Sequence, residues 1–105
     1  LILRQSEKNL KGFMDKANDR ERIFLHLALA RIYREQKDSQ AAGRHYQWLL
    51  EQEWEVGRVS FEYGIYLLEM GEREQSQELY EQVSSVDDIL PAELTRIWKE
   101  DLYEQ

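Results

Sequence analysis

Residues 29–49 read LARIYREQKDSQAAGRHYQWL, and residues 63–83 read YGIYLLEMGEREQSQELYEQV. Aligned without a gap, the two stretches place apolar, aromatic and small residues at corresponding positions 34 residues apart. A short polar break interrupts each stretch, Lys37-Asp38 in the first and Gly71-Glu72 in the second. A fixed period of this length is typical of a repeated helical hairpin.

Outside these two stretches, apolar residues also recur at helical spacing, and no segment alternates in the manner of a β-strand. The predicted helices cover about residues 3–17, 20–36, 38–52, 57–70, 72–84 and 91–105. Asp38 or Ser39 can cap the third of these helices, and Gly71 stands where a helix end favours a left-handed residue. Pro91 suits the first turn of the last helix. We therefore expect an all-α fold of about six helices in antiparallel pairs.

Composition and charge narrow the classes of partner. The 105 residues carry a net charge of -7 and include no cysteine, so disulfides and thiolate metal sites are excluded. Residues 1–60 hold 11 basic and 9 acidic side chains, whereas residues 61–105 hold 3 and 12. The acidic second part would repel nucleic acid, which we do not expect as a partner. The longest nearly apolar run is too short to span a membrane, so membrane insertion is not expected. The sequence leaves the compartment unknown, and a cytoplasmic location is slightly favoured.

Candidate chemistry is sparse. His26 and His45 are the only histidines, and neither has a histidine or carboxylate four residues away that would suggest a metal site. We interpret His26 as a packed histidine in place of a core aromatic residue. Glu51, Glu53 and Glu55 lie too close together to act as separated acid and base, and no phosphate loop or nucleophile motif is present. We therefore expect no enzyme activity, no metal and no cofactor.

The repeated pattern resembles that of the tetratricopeptide repeat (TPR) family, whose unit is a helix–turn–helix of 34 residues. In that family a large apolar, a small and an aromatic residue precede the turn, and a small and an aromatic residue follow it. The matching residues are Leu29, Ala30, Tyr33, Ala42 and Tyr46 in the first stretch, and Tyr63, Gly64, Leu67, Gly71, Ser76 and Tyr80 in the second. The resemblance implies a short right-handed α-solenoid of stacked antiparallel helix pairs.

The match is divergent. His26 and Ser60 stand where the family has an early tryptophan, and Trp54 and Asp88 stand where it has a closing proline. The spacing also resembles the half-a-TPR repeats of RNA-processing scaffolds. A weaker similarity, carried by residues 20–31 and Trp54-Glu55, is to the C-terminal helical region of TssA-like proteins of type VI secretion.

The resemblance also implies an organisation for the chain, which we expect to be a single domain, residues 1–105, from a longer protein. Its parts are an N-terminal helix at 1–18, a first repeat at 20–53, a second repeat at 54–88, and a capping helix or truncated third repeat at 91–105. Trp98 breaks the pattern in that last segment by replacing a small residue.

In TPR proteins, fixed positions on the first helix of each unit line a concave groove that holds a partner. Here those positions are Phe24, Leu27, Arg31, Arg34, Arg58, Phe61, Ile65 and Leu68. Such a surface, an apolar floor with three arginines, would suit an amphipathic helix or a peptide with apolar anchors and acidic flanks. The alternative for Phe61, Ile65 and Leu68 is simple packing under the first or last helix.

These expectations favour a protein–protein interaction scaffold or adaptor. One alternative is a self-assembling structural module of a larger machine, such as a secretion system, which would form homo-oligomers. Another is a regulatory domain fused to an enzyme.

Overall fold

The computed structural model describes residues 19–86 and 88–103, and over that range the chain is helical with no strand. The helices are α1 (Asp19–Glu35), α2 (Ser39–Glu51), α3 (Val56–Glu69), α4 (Arg73–Ser84) and α5 (Ala92–Tyr103). The all-α prediction is therefore confirmed for the described residues. The helix predicted at residues 3–17, which would be the sixth, lies outside them.

The chain divides into two compact units between Gln52 and Glu53. In the first unit, α1 packs against α2, and its most buried side chains come from both helices. They are Leu29, Ala30, Ala42, Tyr46 and Leu49. In the second unit, α3 packs against α4, and α5 packs against both. None of the helices in the described residues is long and apolar enough to cross a bilayer.

The two hairpins, α1–α2 and α3–α4, turn in the same way. Each first helix ends at a left-handed residue, Lys37 with φ 60° and Gly71 with φ 79°. The backbone amides of that residue and of the next residue donate hydrogen bonds to carbonyls in the last helical turn, which is the Schellman pattern. The bonds join Lys37 to Arg34, Asp38 to Tyr33, Gly71 to Leu68 and Glu72 to Leu67, with N···O distances of 3.0, 3.0, 3.1 and 2.7 Å. Hydrogen bonds at the turn thus recur 34 residues apart, as the residue pattern does.

The second helix of each hairpin starts from equivalent positions. Asp38 accepts a hydrogen bond on its side chain from the Ala41 amide at 3.1 Å, so Asp38 rather than Ser39 is the N-cap of α2. Glu72 holds the corresponding place before α4, without a side-chain cap bond. The prediction that Gly71 takes the left-handed conformation is confirmed.

Trp98 fixes α5 on the α3–α4 hairpin. Its side chain is fully buried, and the indole lies over Gly64, where a Cβ atom would overlap the ring. Phe61 and Tyr80 pack edge to face against the indole, with ring centroids 6.3 and 5.2 Å from its centroid. Trp98 breaks the repeat pattern, and the space it fills exists because glycine occupies position 64. At the other end of α5, the Arg73 guanidinium donates a hydrogen bond to the carbonyl of Leu102.

Candidate functional site

The predicted partner-binding residues of the first unit all lie on α1, where we call them the α1 face: Phe24, Leu27, Arg31 and Arg34. Steps of three and four residues keep them on one side of the helix. Phe24 is 51% exposed, Arg31 is exposed, and Leu27 and Arg34 are half-buried. The guanidinium of Arg20 lies 5.9 Å from the centre of the Phe24 ring, one turn earlier. The face therefore combines an accessible aromatic ring with positive charge.

The predicted residues of the second unit lie on α3 at the same spacing, and we call them the α3 face: Arg58, Phe61, Ile65 and Leu68. Arg58 is exposed and the three apolar side chains are half-buried. Phe61 meets Trp98 of α5 edge to face, with an interplanar angle of 85°. It contacts the last helix in this way while part of its surface stays accessible.

A pair of histidines lies between α1 and α2. The Nδ1 atoms of His26 and His45 are 2.9 Å apart, within hydrogen-bonding distance. The His26 ring also stacks on Trp48, with centroids 3.7 Å apart, and the His45 ring stacks on Tyr33 at 5.6 Å. The two imidazoles, which we call the histidine pair, therefore join the two helices within a layer of four rings, in which Tyr33 is buried and the other three rings are half-buried.

The surroundings of His26 oppose its protonation. Burial lowers the pKa of His26 below its ordinary value of 6.5, and the positive charge of Arg22 lowers it further. Arg22 and His26 are four residues apart on α1, so their side chains share one side of the helix. The neutral imidazole is thus the favoured form of His26 near neutral pH.

His26 and His45 were expected to be separate residues on different helices, although the register of the hairpin indicates that they meet. The Ser76 hydroxyl donates to the Gly64 carbonyl at 2.9 Å, so these two positions face each other in the second hairpin. One period earlier they correspond to Ala30 and Ala42. Because the helices are antiparallel, the positions four residues before Ala30 and three residues after Ala42, each about one helical turn away, also face each other. Those are the positions of the histidine pair.

Within residues 19–86 and 88–103, no group of three or more histidine, cysteine, aspartate or glutamate side chains is placed to hold a metal ion. Neither a protein-family model, nor a curated protein, nor a solved structure matches the chain.

Proposed function

We propose that the chain is a divergent TPR-like module that binds another protein through its α1 and α3 faces and catalyses no reaction. The observation that carries the proposal is the α1 face. The Phe24 ring is half exposed beside the Arg20 guanidinium, so its burial against a partner would remove apolar surface from water next to a positive charge. Contact with a partner would bury the ring and engage the charges together.

The chemistry of the α1 face defines the partner. The apolar ring and Leu27 would accept an apolar anchor, and the guanidinium groups of Arg31 and Arg34 would pair with carboxylates beside it. The proposed ligand is therefore an amphipathic helix or peptide with one or two large apolar residues flanked by aspartate or glutamate. On the α3 face, Arg58 and the partly accessible Phe61 offer the same combination.

The recurrence of the turn supports the TPR-like part of the proposal. Left-handed residues and two backbone bonds repeat at the period of the TPR unit, at Lys37 and again at Gly71. In proteins built from such hairpins, the first helices supply the ligand-binding surface. Both proposed faces lie on first helices, α1 and α3.

The proposal can be tested with phage-displayed random peptides selected on the immobilised full chain. We expect enriched peptides to share a large apolar residue with acidic neighbours. Their affinity, measured by fluorescence anisotropy, should fall at least about tenfold when Arg31→Glu and Arg34→Glu are combined, since each removes a charge-assisted hydrogen bond and adds repulsion.

The matched control reverses two charges elsewhere, Arg44→Glu with Lys99→Glu, both at exposed positions on other helices. This variant has the same net charge as the first and should bind the selected peptides as the parent does, apart from a small general effect. Equal losses for the two variants, or enriched peptides without acidic residues, would contradict the proposed faces.

Self-assembly is a second candidate function, favoured by exposed apolar side chains in the second unit. Val86 and Tyr103 are each 48% exposed, and Ile97 on α5 is 39% exposed. Light scattering from micromolar to millimolar concentration tests it directly. A mass that rises with concentration, and that returns to the monomer in Ile97→Lys, would support self-assembly through α5.

A further inference from the structure

The histidine pair can share a hydrogen bond only while it carries at most one extra proton. One Nδ1 must donate and the other must accept, since the two atoms lie 2.9 Å apart. With one extra proton, the bond becomes charge-assisted and is strengthened. With two, both Nδ1 atoms carry hydrogen, so the bond is lost and two cations face each other at the same distance.

The groups around the pair tolerate one charge and resist a second. From α1 the pair faces the Arg22 guanidinium, which repels a positive imidazole, and the neutral Tyr33 ring. From α2, Trp48 presents its ring face to His26, and such a face attracts a single cation. Half-burial of both imidazoles limits the water that could screen two charges.

We propose that His26 and His45 form a proton-operated latch between α1 and α2, closed while the pair holds no more than one extra proton and released when both imidazoles are protonated. Release separates the stacked rings and loosens the first hairpin. The ligand of this site is the proton itself, so the latch makes the closure of the first hairpin sensitive to acidification.

The second hairpin provides an internal comparison. One period after His26 and His45 stand Ser60 and Leu79, neither of which titrates. The two hairpins have the same backbone hydrogen bonds at their turns, but they differ in the residues at these two positions. Acid sensitivity of this kind is therefore expected in α1–α2 and not in α3–α4.

The chain contains no other histidine, so its imidazole signals can be assigned to the pair without ambiguity. The test is a long-range ¹H–¹⁵N NMR titration of the full chain from neutral to mildly acidic pH. We expect two protonation steps separated by more than about one pH unit, as for strongly coupled groups. The second step should move the Trp48 and Tyr33 ring signals, while the Trp98 signals stay in place.

The control is His45→Phe, which keeps a ring against Tyr33 and removes the second imidazole; His45→Gln serves the same purpose if that variant folds poorly. In either variant, His26 should titrate in a single step, and the Trp48 signals should lose the late movement. The latch would be overturned if both histidines of the parent chain titrate independently with one shared midpoint. It would also be overturned if Trp48 and Tyr33 do not respond to the second proton.

Discussion

Trp98 donates its indole N–H to the hydroxyl of Ser76 at 3.0 Å, and Ser76 donates in turn to the carbonyl of Gly64 at 2.9 Å. All three groups are buried, and they belong to α5, α4 and α3. A serine hydroxyl can accept one bond while it donates another, which a small apolar residue at position 76 could not do. The serine therefore satisfies the one polar atom that the tryptophan brings into the core.

Replacement of that hydroxyl leaves the buried indole without an acceptor. We expect Ser76→Ala to lower the free energy of unfolding by about 1–3 kcal/mol, the usual cost of an unsatisfied buried donor. Urea denaturation followed by circular dichroism measures it. Ser84→Ala, at an exposed position on the same helix, is the matched control and should change stability by less than about 0.5 kcal/mol. Equal stability of the two variants would mean that the indole bond contributes little.

Gly64 is required by the indole that covers it. Gly64→Ala places a methyl group inside the Trp98 ring, and we expect a loss of about 1–3 kcal/mol from overpacking. The same substitution in a Trp98→Phe background should cost much less, because the smaller ring leaves the space and alanine favours the helix. A double-mutant cycle measured by urea denaturation gives this coupling. Additive effects would show that the two residues do not compete for one volume.

Lys37 and Gly71 occupy equivalent left-handed positions, but only glycine adopts that conformation without strain. We expect Lys37→Gly to stabilise the first hairpin by about 1 kcal/mol. The reciprocal Gly71→Lys should destabilise the second by a similar amount, and no atom lies within 4 Å of the added Cβ, so the backbone alone sets the cost.

Gln47→Gly is the control for the Lys37 substitution, because it adds a glycine in the interior of α2 at an exposed position. It should destabilise by about 1 kcal/mol, opposite in sign to Lys37→Gly. Thermal unfolding measures all three variants. A loss of stability in Lys37→Gly would contradict the argument from backbone strain.

The local features of the fold were predictable because they depend on residues close together in the chain. The Asp38 cap and the left-handed Gly71 follow from side-chain chemistry and the missing Cβ, and the helices follow from apolar spacing. The 34-residue period was visible because the same local signals recur in two stretches of the sequence. Lys37 shows the limit, since nothing in a lysine side chain suggests φ 60°, and only its alignment with Gly71 does.

The contacts between helices were harder to predict, because they depend on register and on side-chain direction. In the sequence, Trp98 interrupts the repeat pattern. In the structure it packs α5 onto the hairpin through Gly64 and Ser76, which lie 34 and 22 positions earlier. To predict that His26 and His45 meet, the register of α1 against α2 must be known to within one residue. For the predicted α1 and α3 faces, exposure is now known, but their role as a binding surface remains a prediction.

The stability of the chain should depend on pH through His26. Its pKa in the folded protein lies below the ordinary value of 6.5, because of burial and of Arg22. As the pH is lowered below about 6.5, His26 takes up a proton in the unfolded chain before it does so in the folded chain. The free energy of unfolding therefore decreases until the pH reaches the pKa of His26 in the folded protein. Above that range, the contribution of His26 is fully present. Urea denaturation of the parent chain at about pH 7.5 and about pH 5.5 should show this loss.

Two variants separate His26 from the many carboxylates that also begin to titrate. His26→Phe keeps a ring against Trp48 but binds no proton, so its loss of stability on acidification should be smaller than that of the parent. Arg22→Gln removes one of the two causes of the lowered pKa and should also reduce the loss, though burial remains. Parallel pH profiles for the parent and His26→Phe would show that His26 takes up its proton equally readily in the folded and unfolded chain.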